Sequence, residues 1–439
     1  MNSIMSVLGL SIIMSFTGGA AQVEPEAYET LVTPIYLTIP AEAIDVGQII
    51  GTLAAPEMRG RLVGTPENEQ AAVYIHSLFE TLGLSPLEGD SFFHPYEQEI
   101  FDIEKSNPRV IVTLDNEMQR ELQLGSEFLF RVSSGPVDSV LRVNDDGNWV
   151  DSEYPDIEWI LRSGSMIPVW RSGLVKDGVV TENPIHATHA SPYRIEVRED
   201  LLDALTEIGI EEIRLVSEDS RRIETVNNVV GVLEGRDRSR AVVLTAHFDG
   251  AGVMGDIQSD GAYDNASGVA AIVYAASLLA EFHGYLEIDV VIAALNGEES
   301  GINGAAALVP KLVERYEQLY SINVDTIGAA GTEGYALLAA IDLESHAMIG
   351  QGGTNDALVG AFRDIINENG LILFGVFWGH DDSYHFMAQG LPAISLIGMP
   401  DKIHTRYDTV EILDVREVRM VGRMLADFIL SSGAEMYTN

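Results

Sequence analysis

Between residues 227 and 398 the chain repeats one pattern, in which short apolar runs alternate with longer stretches of helical character. Apolar runs of about four to eight residues, bounded by turn residues, are typical of strands that are buried on both faces. The predicted strands are Asn227–Gly235 with its turn, Ala241–Ala246, Ile288–Leu295, Leu319–Val324 and Ala393–Gly398, and the predicted helices are Ala266–Phe282 and Ile302–Arg315. This alternation predicts an α/β fold with a largely parallel, mixed central sheet that is flanked by helices.

Ionisable side chains follow these runs at the points where the predicted strands end. In an open α/β sheet, ligands bind in the crevice at the carboxyl ends of the strands, so residues just beyond each run are candidates for a site. Asp264 lies two residues before the predicted helix that begins at Ala266. The candidates that follow the runs themselves are His247, Asp249, Glu298, Glu299, Asp325 and His404. We therefore expect these acids and imidazoles to converge at one edge of the sheet.

The composition of this set indicates a metal centre. The chain has no cysteine, which excludes disulfides, thiolate metal sites and cysteine nucleophiles. Two imidazoles together with a surplus of carboxylates suit a hard or borderline divalent ion such as zinc. A catalytic zinc takes about three protein ligands, so five ligands with one shared carboxylate predict two zinc ions per chain.

Six motifs surround these residues, and together they resemble one known family. In chain order they are GRLVGT, TAHFDG, AYDNASGVAA, NGEESGINGA, NVDTIG and IHTRYDT. The set resembles the co-catalytic di-zinc exopeptidases, whose best-known members are secreted bacterial aminopeptidases. The resemblance covers Arg59–Leu87 and Val226–Leu413, and it rests on the motifs taken together and in order, because TAHFDG alone is weak.

The resemblance implies how the metal ligands are divided. His247 and Asp325 resemble the protein ligands of one zinc ion, whereas Glu299 and His404 resemble those of the other. Asp264 resembles the carboxylate that bridges the two ions, and its peptide bond to the following residue is expected to be cis.

The resemblance also implies two catalytic roles. Glu298 resembles the general base, which would act on a metal-bound water as the nucleophile. Asp249 resembles the carboxylate that orients the ring of His247. One position departs from the family pattern, because several relatives carry a tyrosine before the last ligand histidine and this chain carries Ile403. Stabilisation of the oxyanion is then expected from the metal alone or from a group such as Tyr407 or His380.

The implied function is that of a zinc-dependent aminopeptidase, a metallo-exopeptidase that hydrolyses N-terminal residues from peptides. Three alternatives share the scaffold: a glutaminyl cyclase-like acyltransferase, a carboxypeptidase of the same fold, and a metal-free binding module without catalysis. The AYDNASG context is more similar to the peptidases than to the cyclases. Retention of all five ligands and of the base argues against the binding module.

The domain organisation is predicted from changes along the chain in the pattern of strand-like and helical segments. Residues 22–124 form the first part of the catalytic domain, with helices at 42–53 and 67–82 and a strand at 108–114. Residues 125–219 hold scattered strand-like runs and form an inserted domain or β-rich insertion, in which His186 and His189 lie in a polar loop. Residues 220–439 form the main part of the catalytic domain.

The first 21 residues are typical of a signal peptide. The apolar run Ile4–Phe16 is followed by small residues up to Ala21, although no Lys or Arg precedes the run. The run is shorter than the roughly 20 residues that span a membrane, which argues against an uncleaved anchor. The protein is therefore expected to be secreted or periplasmic.

The net charge constrains the partners. With 67 acidic against 26 basic residues the chain carries −41, a field that repels phosphate backbones and anionic lipid surfaces. We expect peptide substrates as partners, no nucleic acid, and no stable membrane association after processing.

The same charge motivates a prediction about salt. Only four lysines contribute to the positive charge, namely Lys105, Lys176, Lys311 and Lys402, and an acidic, lysine-poor surface suits high salt. Because salt screens self-repulsion, the melting temperature should rise between about 0.05 and 1 M NaCl. Thermal unfolding followed by circular dichroism across this range measures the effect. A flat or falling melting temperature would leave the acidity without this explanation, and a merely acidic secreted protein is the alternative.

Overall fold

The computed structural model describes the greater part of the chain outside the N-terminal segment. The described residues are 44–131, 136–144, 149–151, 160–164, 175–176, 179–180, 194–330, 334–340, 355–378, 381–398 and 402–437. The predicted signal peptide, His186, His189 and His380 lie outside these residues. None of the described helices is long and apolar enough to cross a membrane.

A nine-stranded mixed sheet forms the centre of the fold, in the order β1-β13-β17-β14-β18-β21-β19-β20 with β2 also paired to β13. Its strands are β1 (Ser85–Pro86), β2 (Phe93–Phe101), β13 (Arg221–Leu233), β14 (Asp237–His247), β17 (Ile288–Leu295), β18 (Gln318–Asp325), β19 (Tyr335–Ala340), β20 (Leu373–Trp378) and β21 (Ala393–Gly398). The pairs β14–β17, β14–β18 and β18–β21 are parallel, whereas β13 and β19 introduce antiparallel pairs. The predicted α/β class with a mixed sheet is confirmed.

Helices cover both faces of this sheet, which explains the continuous apolar runs. They are α1 (Val46–Leu53), α2 (Pro66–Leu82), α5 (Ser267–Ala280), α6 (Asn303–Arg315), α7 (Asp356–Glu368), α8 (Ser383–Ala388) and α9 (Val415–Ser432). Alternate residues of one strand enter opposite cores. Val242 belongs to the core that contains residues of α1, α2, α5, α7 and α9, while Val243 belongs to the core that contains residues of α6 and α8. Every residue of β17 is buried, as expected for a strand covered on both sides.

The helix boundaries differ from the sequence predictions where polar side chains bind the backbone. α1 begins at Val46 rather than at residue 42, because the Asp45 carboxylate accepts hydrogen bonds from the amides of Gly47 and Gln48 and so caps the helix. α5 begins at Ser267 and ends at Ala280, inside the predicted span 266–282, and a single π-helical turn precedes it.

A second, five-stranded antiparallel sheet lies between β2 and β13 in the sequence, in the order β4-β3-β12-β6-β7. Its strands are β3 (Arg109–Leu114), β4 (Gln119–Leu122), β6 (Val137–Val143), β7 (Trp149–Asp151) and β12 (Ile210–Ser217). Helix α4 (Glu199–Ile208) packs on it through Leu201 and Leu205. This sheet takes strands from both sides of residue 124, and the domain boundaries at 124 and 219 stay predictions.

The remaining elements are short. A three-stranded sheet contains β5 (Phe128–Arg131), β8 (Ile160–Gly164) and β11 (Arg194–Arg198), and helix α3 (Ile103–Ser106) follows β2. Two small hairpins are formed by β9 (Val175–Lys176) with β10 (Val179–Val180) and by β15 (Val253–Met254) with β16 (Ile257–Gln258).

Candidate metal centre

The carboxyl ends of two neighbouring parallel strands supply the first pair of side chains. His247 is the last residue of β14 and Asp325 is the last residue of β18, and the register that pairs Thr245 with Asn323 places them side by side. Asp264 reaches the same place from the π-helical turn before α5. All three side chains are buried. The fold thus brings together residues from three separate parts of the chain, as the strand-end argument predicts.

The atoms of this first group converge without bonding to one another. His247 Nε2 lies 3.2 Å from Asp264 Oδ1 and 3.6 Å from Asp325 Oδ1. Among the described residues, His247 Nε2 and Asp325 Oδ1 are buried and have no hydrogen-bond partner. Tetrahedral zinc with bonds of about 2.0–2.2 Å separates its ligand atoms by roughly 3.3–3.6 Å. The spacing and the unsatisfied atoms therefore fit a cation held between these ligands.

A second group shares Asp264 with the first. His404 Nε2 lies 2.8 Å from Asp264 Oδ2 and 3.0 Å from Glu299 Oε2. In each of the two groups, ligand atoms from all three members lie within 4.8 Å of one another. One oxygen of Asp264 thus faces His247 and the other faces His404. This arrangement supports two adjacent cation sites with Asp264 between them.

The shared carboxylate is fixed by the bonds around its own peptide. The Asp264–Asn265 peptide is cis, as the family resemblance implies. The Asp408 carboxylate accepts hydrogen bonds from the amides of Tyr263, at 2.6 Å, and Asp264, at 3.1 Å. Asn265 Nδ2 donates to the carbonyl oxygen of Val324 at 2.9 Å. The turn is therefore tied both to β18 and to the segment that carries His404.

Asp249 performs a second task beside the one predicted from the sequence. Its Oδ1 lies 3.5 Å from His247 Nδ1, although the nearer acceptor for that nitrogen is the Asp249 carbonyl oxygen at 3.2 Å. The carboxylate also accepts hydrogen bonds from the amides of Glu298 and Glu299, each at 3.2 Å. Asp249 therefore links the end of β14 to the turn that follows β17.

The two neighbouring glutamates of this turn occupy different positions. Glu299 is buried in the second ligand group, whereas Glu298 belongs to neither group and is mostly buried beside them. Burial raises the pKa of Glu298 well above its ordinary value, and the nearby carboxylates of Glu299 and Asp325 add to the effect. Glu299 therefore lies where it can bind a cation, whereas Glu298 lies next to the ligand groups.

Arg61, from the motif GRLVGT, supports the centre through hydrogen bonds. The sequence did not predict this role. Its side chain is fully buried, and burial lowers its pKa. Among the described residues, its hydrogen-bond acceptors are all carbonyl oxygens, namely those of Leu53, Phe248, Asp260 and Gly261. Arg61 thus ties α1 to the loop that leads from His247 to Asp264. The motif pointed to the residue, but its hydrogen bonds could be read only from the fold.

The segment before α8 contributes two further acids, Asp381 and Asp382, which were not among the site residues expected from the sequence. Asp381 accepts hydrogen bonds from Ser383 and Asn323. Asp382 is fully buried, and neither of its carboxylate oxygens has a hydrogen-bond partner among the described residues. Burial raises the pKa of Asp382 well above its ordinary value. Tyr407, named from the sequence as a substitute for the missing tyrosine, is 51% exposed.

The concentration of buried acid predicts that metal stabilises the fold. Among the described residues the one buried Lys or Arg is Arg61, while seven carboxylates near the centre are buried, namely Asp249, Asp264, Glu299, Asp325, Asp381, Asp382 and Asp408. Buried carboxylates repel one another unless cations or protons compensate them. Metal that binds only the folded state at 1,000 times its Kd contributes about 4 kcal/mol.

We therefore expect chelation to lower the melting temperature by about 5–10 °C. Calorimetry before and after treatment with a chelator measures the change. Adding back zinc to the same sample is the control and should restore the original value. An unchanged melting temperature in protein shown to be metal-free would contradict metal binding by these buried side chains.

Comparisons with known proteins bear on the family and on the fold. Residues 228–429 match the family described as Peptidase family M28, which confirms the resemblance inferred from the motifs. The matched segment contains all five candidate ligands together with Asp249 and Glu298, whereas Arg61 and β2 lie outside it. A search among curated proteins finds no significant match.

Several solved structures share the fold. A zinc aminopeptidase from Bacillus subtilis is 17% identical, with a TM-score of 0.62 over 91% of this chain and 96% of that chain. An aminopeptidase from Aneurinibacillus sp. strain AM-1 is 17% identical, with a TM-score of 0.58 over 89% and 95%. A peptidase M28 precursor from Shewanella amazonensis SB2B is 17% identical, with a TM-score of 0.56 over 90% and 93%. At these identities the comparison establishes the mixed α/β fold.

Proposed function

We propose that this chain, whose residues 228–429 match Peptidase family M28, is a zinc-dependent aminopeptidase that removes N-terminal residues from peptides. One observation carries the proposal: the two oxygens of Asp264 face two different histidines, His247 and His404, each of which has a further carboxylate beside it. A shared carboxylate between two such groups is the arrangement that two-metal hydrolases use.

The donor set fits zinc. Each group offers one imidazole nitrogen and two carboxylates, which leaves a coordination position for water or substrate at a four-coordinate ion. When bound, the two metal ions would polarise the scissile carbonyl, lower the pKa of a coordinated water, and stabilise the developing oxyanion. We propose two zinc ions per chain, with His247 and Asp325 on one, Glu299 and His404 on the other, and Asp264 between them.

Glu298 is proposed as the general base. It lies directly before the ligand Glu299. Its raised pKa makes its carboxylate a stronger base, which can accept a proton from the attacking water and hold it. Glu298 then delivers that proton to the amine nitrogen that leaves. Asp249, which accepts hydrogen bonds from the amides of both glutamates, holds the backbone that carries the base and the ligand.

Three peptides of one sequence test the activity: one with free ends, one N-acetylated and one C-amidated. Mass spectrometry after incubation should show shortening from the N-terminus of the free and amidated peptides, and an intact N-acetylated peptide. A carboxypeptidase would instead shorten the acetylated peptide and leave the amidated one. A fourth peptide with N-terminal Gln identifies a cyclase, because it would lose ammonia without cleavage. No change in any peptide with zinc-loaded protein would favour the binding module.

We further propose export with cleavage after Ala21. The run Ile4–Phe16 and the small residues that follow it support this proposal. Export would place the enzyme with peptide substrates outside the cytoplasm.

A further inference from the structure

The turn that carries Glu298 and Glu299 is held by side chains from a distant strand, β2. Tyr96 Oη donates a hydrogen bond to the carbonyl oxygen of Asn296 at 2.7 Å. Gln98, two residues further along β2, donates through Nε2 to Ser300 Oγ at 2.7 Å. These two hydrogen bonds hold the turn at Asn296, two residues before Glu298, and at Ser300, directly after Glu299.

β2 and the turn approach each other so closely at residue 297 that only glycine fits there without strain. Gly297 has φ of 75°, in the left-handed region, and a Cβ atom there would lie 2.4 Å from Gln98 Oε1 and 2.8 Å from Tyr96 Oη. Any other residue would be strained at this φ and would displace the side chains of Gln98 and Tyr96. The position of Tyr96 relative to the turn is therefore narrowly fixed by packing as well as by the hydrogen bond.

Asp249 holds the same turn from the side of the metal centre. Its two carboxylate oxygens accept hydrogen bonds from the amides of Glu298 and Glu299. The turn is therefore hydrogen-bonded to β2 on one side and to Asp249 on the other, and it cannot shift without breaking one of these sets of bonds. Tyr96 has one hydroxyl proton, and the shorter of its two contacts is to the Asn296 carbonyl rather than to Gln98 Oε1 at 3.0 Å. Burial raises the pKa of Tyr96 well above its ordinary value, so the hydroxyl keeps the proton that it donates.

We propose that Tyr96 is a positioning residue for the reaction, which acts through the Asn296 carbonyl to hold Glu298 and Glu299 at their working distances from Asp264. The inference rests on the proposed function. Tyr96 lies outside the segment 228–429 that matches the peptidase family, so this support comes from a part of the chain that the family match does not cover. Displacement of a catalytic group by about 1 Å can cost 10²-fold in rate.

The test compares two variants that each remove one hydroxyl. Tyr96→Phe removes the hydrogen bond to Asn296. Tyr320→Phe is the matched control, because Tyr320 Oη also donates to a backbone carbonyl, that of Gly433. Tyr320 lies near the start of β18, whereas Asp325 is its last residue. We expect Tyr96→Phe to lower kcat at least about 10-fold with KM within about twofold of wild type. Tyr320→Phe should leave both constants at wild-type values.

A second readout does not depend on turnover. Titration of metal-free protein with Co²⁺, followed by its visible absorption, should show weaker binding of one equivalent in Tyr96→Phe and unchanged binding in Tyr320→Phe. If the wild-type protein cleaves no peptide, the proposed function fails, while this titration still tests Tyr96. Ser300→Ala, which removes the acceptor of Gln98 on the turn, should shift both readouts in the same direction. A folded Tyr96→Phe protein with wild-type kcat and wild-type metal affinities would overturn the inference.

Discussion

Glu298→Gln should lower kcat by about 10²–10⁴-fold while the metal content stays at the wild-type level. The substitution keeps the size and shape of the side chain but removes its ability to accept a proton. Since Glu298 lies outside both ligand groups, no metal ligand is lost. Steady-state kinetics and elemental analysis of the same preparation measure the two effects together.

Glu299→Gln is the matched control for this experiment, because it makes the same chemical change at the adjacent residue. Glu299 Oε2 lies 3.0 Å from His404 Nε2 inside the second ligand group, so the variant should bind one metal ion weakly and should regain activity as metal is added. If Glu298→Gln loses metal while Glu299→Gln keeps both ions and is merely slow, the roles of the two residues are reversed.

Asp264→Asn should lower the metal content more than any other single substitution, because it acts on both ligand groups at once. The amide keeps one oxygen that can ligate, but its nitrogen cannot replace the second carboxylate oxygen. We expect metal content to fall from two equivalents to one or fewer and kcat to fall by more than about 10³-fold. Elemental analysis after gel filtration, together with kinetics at saturating zinc, measures both.

Asp260→Asn provides the control for Asp264→Asn. Asp260 lies four residues upstream, and its carboxylate accepts a hydrogen bond from Gln258 rather than facing the histidines. This variant should retain wild-type metal content and activity. An Asp264→Asn protein that keeps two tightly bound ions would show that Asp264 is not shared between them.

The sequence predicted the strands best where burial on both faces left a continuous apolar run. The boundaries of β17 and β21 agree with the prediction to the residue. By contrast, β13 begins at Arg221, six residues before the predicted start at Asn227. Its first half alternates exposed and partly buried residues because it pairs with β2, which the sequence did not identify as a partner.

The site followed from the sequence because ionisable residues at strand ends are brought together by the topology itself. His247 and Asp325 meet because β14 and β18 are parallel neighbours. The supports of the site were not predictable in the same way. Apart from the bond of Arg61 to Leu53, Arg61 and Tyr96 act through hydrogen bonds to backbone carbonyls nearly 200 residues or more away, and such acceptors carry no side-chain signal in the sequence.

The central claim is that two metal ions lie on either side of Asp264. Anomalous diffraction at the zinc absorption edge, from crystals of the active, zinc-loaded protein, tests this claim most directly. We expect two peaks about 3.5–4 Å apart, one within bonding distance of His247 and Asp325 and the other within bonding distance of Glu299 and His404. A single peak, or no peak at Asp264, in crystals whose dissolved protein is fully active would contradict it.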